Sequence, residues 1–90
     1  MLATGYFSSG FAFGNVGGSF VWFVEVSYQL EDSSASKTGT IPITYPSATT
    51  KLDTILDLAK AAIINDASSK YGVTLAVGDI AFFYLNQTFR

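Results

Sequence analysis

One stretch of the chain carries apolar residues at helical spacing, and most of the remainder alternates with a period of two. Between Thr49 and Gly72, the residues Leu52, Ile55, Leu56, Ala59, Ala62, Ile63 and Ala67 recur at i, i+3, i+4 and i+7. That spacing puts them on one face of a helix. Thr49 or Thr50 can act as N-cap, because a hydroxyl there accepts from an orphan amide of the first turn. Asp53 and Asp57 suit the positive end of the helix dipole, and Lys70 suits the other end. Gly72 can take the left-handed conformation that closes a helix. Leu58, Ala61 and Ile64 widen the apolar stripe, which predicts either a second contact or a strongly twisted sheet wrapping that far.

Before the helix, Ser19–Glu31 alternates over its whole length. Phe20, Trp22, Val24, Val26, Tyr28 and Leu30 point one way, and Val21, Phe23, Glu25, Ser27, Gln29 and Glu31 point the other. The first set predicts a continuous core face. The second turns from apolar to polar along the strand, which marks a contact patch around Val21 and Phe23. Residues 31–36 form a polar turn, and Lys37–Tyr45 returns as the second strand of a hairpin. Pro42 cannot donate to a ladder, so we expect this strand at an edge, or its Pro42 position facing outward. After the helix, Val73–Val77 alternates and predicts a short extended piece. Gly78-Asp79 punctuates it. Ile80–Leu85 is apolar almost without interruption, which predicts a strand central in the sheet or covered by a partner. Asn86–Arg90 reads as a short tail.

Residues 1–18 set Tyr6, Phe7, Phe11 and Phe13 among Gly5, Gly10, Gly14, Gly17 and Gly18. Phe11 and Phe13 alternate around Ala12, but so many glycines argue against a long regular strand. We expect an extended N-terminal arm over 1–18, lying along its own sheet or along a neighbouring subunit. Residues 19–90 then form a single α+β domain. Its expected architecture is a small antiparallel or mixed β-sheet with a single α-helix packed on one face, in the order (β)ββαββ.

Composition sharpens this picture. Hydrophobic residues make up 49% of the 90, aromatics 16% and charged residues only 13%, against a usual charged share of about 25%. Eight Phe, five Tyr and one Trp are hard to hide in a domain this small. Such a surface suits a subunit covered by its neighbours. We expect the contacts at Tyr6, Phe7, Phe11 and Phe13 in the arm, with Val21, Phe23, Leu58 and Ile64 as secondary contacts. The five cations are scattered and the net charge is −2, so no basic stripe supports nucleic-acid binding. Without cysteine or histidine there is no thiolate nucleophile, no imidazole base and no expected zinc or copper site. No window reaches the roughly 18–20 apolar residues of a membrane span. The N-terminus lacks the cationic start of a signal peptide, so we expect a soluble, unprocessed chain.

Candidate chemistry is thin. Asp53 and Asp57 stand i, i+4 on the helix, where a paired acid/base or a weak calcium site is conceivable, but their place near the helix start already accounts for them. Glu31-Asp32 belongs to a solvated hairpin tip, and Asp79 to a turn. Gly14-Asn15-Val16-Gly17-Gly18 is superficially similar to a phosphate-binding loop but lacks the Lys-Ser/Thr ending and precedes a strand. The strand aromatics could stack nucleobases, yet no basic residues interleave them. We expect no enzyme, no cofactor, no metal and no small-molecule substrate.

The segment TTKLDTILDLAKAAIINDASSKYGVTL, the aromatic-glycine arm, the low charge and the absence of Cys and His together resemble small virion structural proteins of tailed bacteriophages, such as capsid cement or decoration proteins and tail components. The resemblance is of style across the chain and includes no diagnostic motif. It implies a structural role in a virion, with partners that are copies of the chain itself or another virion protein such as a major capsid or tail protein. An extracellular filament or pilus-like subunit, using its arm for strand complementation, is the alternative. A monomeric protein-binding or inhibitor module is another.

Overall fold

In a computed structural model that describes residues 2–31 and 37–83, the chain is α+β, with one helix and a mixed five-stranded sheet. Strand β1 is Ala3–Phe7, β2 Ala12–Val16, β3 Ser19–Leu30 and β4 Lys37–Tyr45; helix α1 is Leu52–Tyr71, a 3₁₀ turn covers Val77–Asp79, and β5 is Ile80–Phe83. The expected Glu31–Ser36 turn and Asn86–Arg90 tail lie largely or wholly outside the described residues.

The 12-residue β3 organises the sheet. β4 lines one of its edges antiparallel, from Trp22↔Tyr45 to Leu30↔Lys37. The other edge is shared end to end by two antiparallel strands, β1 against Val26–Leu30 and β2 against Ser19–Phe23. β5 then adds to β1 in parallel, from Ala3↔Ile80 to Tyr6↔Phe83. Three expectations change here. Residues 3–16 lie along the chain's own sheet, one of the two places expected, but as two of its strands rather than as a separate arm, and the expected boundary at 18/19 falls inside a hairpin turn. Val73–Val77 forms no strand, although Leu75 within it is buried. The last strand pairs only with β1 among the described residues, so its apolar run does not reflect a central position. Pro42 does lie on an edge strand, since among the described residues β4 pairs only with β3.

The core follows from the pleat. Cross-strand partners point to the same side, so Ala3, Gly5 and Phe7 join Val24, Val26, Tyr28, Leu30, Ile43, Tyr45 and Ile80 on the face that meets α1. The helix answers with a single i, i+4 row, Ile55, Ala59, Ile63 and Ala67, all buried. The stripe is narrower than its spacing suggests, for Leu52 is exposed. The N-cap is Lys51, without a side-chain bond; the hydroxyl of Thr50 accepts instead from the amide of Ser47 in the preceding turn. Gly72 does close the helix, at φ 67°, with its amide on the carbonyl of Ser68.

Helix and sheet are also tied by hydrogen bonds. Tyr28 donates its hydroxyl to Asp66 Oδ2 at 2.6 Å, and Tyr71 donates to the carbonyl of Thr38 at 2.6 Å. Asp66 also pairs with Lys70 one turn on, at 3.4 Å. Burial, and then the bond to Asp66, push the Tyr28 phenol well above its ordinary range. A phenol whose pKa is raised by folding stabilises fully below the unfolded value and progressively less above it. Stability should therefore fall as pH climbs past about 10, where the unfolded chain's tyrosine ionises first. Tyr28→Phe should flatten that fall and cost about 1–3 kcal/mol at neutral pH, since Asp66 loses a buried donor. Urea melts of both proteins between pH 7 and 11 check this; an unchanged alkaline slope would contradict it.

The opposite face of the sheet is polar at its centre. Ser27 lies between the hydroxyls of Ser8 and Thr40, each 2.9 Å away. There, among the described residues, small polar contacts rather than a second layer hold the chain.

Candidate functional site

The hairpin that joins β2 to β3 carries the chain's most unusual surface. Its loop is two residues long, Gly17 and Gly18 at φ 61° and 91°, closed by the pair Val16↔Ser19. Positive φ at both positions defines the type I′ turn, whose twist matches that of the strands and which favours glycine. Asn15 fixes it further by accepting the amide of Gly18 on Oδ1 at 3.1 Å. Upstream, residues 8–11 bulge between β1 and β2. The amide of Ser8 donates to the carbonyl of Glu25, and the amide of Glu25 donates to the Ser9 hydroxyl at 2.8 Å, which stands in for a missing carbonyl. The bulge lets one N-terminal strand bend along β3 without losing its partner.

This geometry carries the helix-facing side of the sheet out beyond its cover. β3 spans about 40 Å at strand rise, while the 20-residue α1 spans about 30 Å and packs mainly over β4. Along β2 and the start of β3, aromatic rings therefore stand on the core face with no layer above them among the described residues. Phe20 is 69% exposed, Phe13 56% and Phe11 45%. They are ordered against one another: Phe13 stacks near Phe20 with centroids 6.2 Å apart and tilts against Trp22 at 5.1 Å. Phe11 continues the cluster inward, edge-on to Phe7 at 5.0 Å and 6.2 Å from Tyr45. Contiguous exposed aromatics are characteristic of surfaces that meet other proteins.

The eight residues expected at contacts divide among four places. Phe11 and Phe13 lie in the exposed cluster. Tyr6 is exposed on the other face of the sheet, opposite Ser27 and Phe83. Phe7 is buried, 2% exposed, against Phe82 at 4.8 Å. It is a core residue and is not available to a partner. Val21 and Phe23 are half-buried on the face away from the helix, and the Phe23 ring fills the space a side chain at Gly14 would occupy. Leu58 is exposed on the helix, and Ile64 packs at the margin of the core. Val21 and Phe23 belong to the same hairpin as the cluster but face away from it, and Leu58 and Ile64 lie on the helix.

Phe20 is the residue that sequence reasoning placed in the core and the structure leaves most exposed among these rings. Its signal lay in its neighbours, because a core-face residue beside a Gly-Gly turn sits past the reach of a helix laid across the strand's middle. Asp66 was also passed over; nothing in a single acidic residue on a helix reveals a tyrosine beneath it. A shallow groove of about 300 Å³ runs beside it, lined by Ile41, Ala62, Asn65, Asp66 and Ser69. The Asp66 carboxylate is committed to Tyr28 and Lys70. Asp79 accepts the amide of Ala76 at 2.9 Å and holds the 3₁₀ turn. Among the described residues no three potential metal ligands cluster, and no helix is long and apolar enough to cross a membrane.

Searches for matches among protein-family models, curated proteins and solved structures found none for this chain.

Proposed function

We propose that the chain is a non-enzymatic structural subunit of a large protein assembly, acting through subunit contacts at the β2–β3 hairpin tip. The observation that carries this reading is the ordered cluster of Phe11, Phe13 and Phe20 on a face that the protomer's own helix leaves uncovered. Burial of that cluster would drive association at about 25 cal/mol per Å² of apolar area, before the costs of ordering two bodies. The resemblance to small tailed-phage virion proteins gives the reading its setting, in which the partner is another copy or a major capsid or tail protein and the location is the virion.

Electron microscopy of the concentrated protein tests it. Rings, shells or short tubes are the expected objects, because a virion subunit closes its contacts; open filaments would favour a pilus-like subunit. Changing Phe11 and Phe13 to serine should disperse these objects while far-ultraviolet circular dichroism stays unchanged. A fully dispersed native protein that also binds no capsid or tail protein would point to a monomeric binding module and overturn the proposal.

A further inference from the structure

We infer that β2 is a strand-pairing edge for a second copy of this chain, joined across a two-fold axis that passes through Gly14. The inference rests on the assembly reading above and gives it a partner and a geometry. Among the described residues, no strand covers the outer edge of β2. The sheet's other open edges carry ordinary protection against strand addition. β4 has Pro42 and Lys37, and β5 is four residues long among the described residues. β2, with the sequence Ala-Phe-Gly-Asn-Val, has neither a proline nor a charge.

The backbone pattern makes this edge complementary to itself. A two-residue hairpin loop makes its flanking pair, Val16 and Ser19, a hydrogen-bonded pair. Alternation then turns Gly14 and Ala12 toward β3 as well, and leaves the amide and carbonyl of Phe13 and of Asn15 facing outward. A two-fold axis at Gly14 sets Phe13 against the partner's Asn15 and Asn15 against the partner's Phe13. All four outward donors and acceptors of each copy's two residues are then paired in antiparallel strand addition. The two Phe13 rings fall on the diagonal, within aromatic reach, and each copy's Phe20 flanks the other's Phe13 across Asn15.

Charge and area both admit a second copy. A two-fold contact sets a surface against itself, so any charge at its centre meets its like. Here the first charged side chain in the sequence is Glu25, and the whole β1–β2 edge and the start of β3 are neutral. A standard interface takes about 800 Å² from each partner. Three phenylalanines of roughly 150–250 Å² each, at the exposures given above, offer at most on the order of 250–430 Å². The exposed backbone and side chains of Ala12, Asn15, Gly17, Gly18 and Ser19 bring the contact to the lower end of that class, which is reversible on dilution.

Amide hydrogen exchange of the full chain, followed by NMR over a hundredfold range of concentration, tests the inference. The amides of Phe13 and Asn15 should exchange rapidly when dilute and at least tenfold more slowly when concentrated, whereas the amide of Gly14 stays protected throughout. Phe13→Lys should abolish the concentration effect and leave the amides of Val24 and Val26 protected. Protection of Phe13 and Asn15 already present in the dilute monomer means that the chain's own residues 84–90 occupy the edge, which overturns the inference. Rapid exchange at every concentration overturns it as well. If the protein still assembles in that case, and the serine variants disperse it, the assembly reading stands with a different contact.

Discussion

Phe7→Ala is expected to destabilise the protomer by about 3–5 kcal/mol, the usual range for emptying a buried phenylalanine site. A chain of 90 residues holds on the order of 5–13 kcal/mol in all, so the variant should melt far below the native protein. The reason is position. Phe7 ends β1 on the face under the helix, packs on Phe82 and Phe11, and pairs across the sheet with Val26. Phe13, six residues on, sits in the same glycine-rich segment but more than half exposed, and its replacement by serine should cost under about 1 kcal/mol. Urea denaturation of the two variants side by side checks the contrast. Equal losses would mean that the N-terminal segment is not built into the sheet as described. The same geometry predicts that removing residues 1–18 unfolds the protein rather than freeing a trimmed monomer, because β1 is the only strand that joins β5 to β3 among the described residues.

Gly39→Ala is expected to have the other large effect, about 1–3 kcal/mol or more of destabilisation through overpacking. A β-carbon at Gly39 would stand 2.5 Å from Tyr28 Cε1 and 2.6 Å from Asp66 Oδ2. Neither neighbour can yield cheaply. Tyr28 is fully buried between strands, and its hydroxyl is bonded to Asp66, so moving the ring breaks the tie between sheet and helix. Gly5 presents a milder case, where a β-carbon would come within 2.9 Å of the tips of Ile63 and Phe82. Thermal melts of Gly39→Ala and Gly5→Ala should rank in that order, with Gly39→Ala the lower. A Gly39→Ala protein as stable as native would show that Tyr28 does not lie over β4 in this way.

These two glycines show where the sequence spoke and where it did not. The helix, the long alternating strand, its hairpin return and the Gly72 stop were all legible, because each rests on a local period or a single backbone requirement. The α+β class followed. Gly5 and Gly39, however, sit within strands for a reason no local rule gives: each makes room for a side chain that arrives from elsewhere in the fold. The glycines of residues 1–18 made that segment read as an arm, when Gly17-Gly18 is a hairpin turn that sends a bulged strand back along β3. Phe7 and Phe13 could not be told apart by type. What separates them is that α1 covers one and stops short of the other, a matter of where the helix lies across the sheet. The parallel pairing of β5 beside β1, rather than at the sheet's centre, is likewise a long-range choice that an apolar run of six residues does not encode.

The central claim is that the uncovered aromatic tip joins subunits while the segment bearing it belongs to the protomer's own sheet. Sedimentation of the native chain beside a Phe11→Ser, Phe13→Ser, Phe20→Ser variant tests it most directly. The account predicts a concentration-dependent mass at multiples of 9.6 kDa for the native protein, and a folded particle of single-chain mass for the variant. Identical assembled masses for the two would contradict it, as would single-chain masses for both in a protein that also binds no capsid or tail protein.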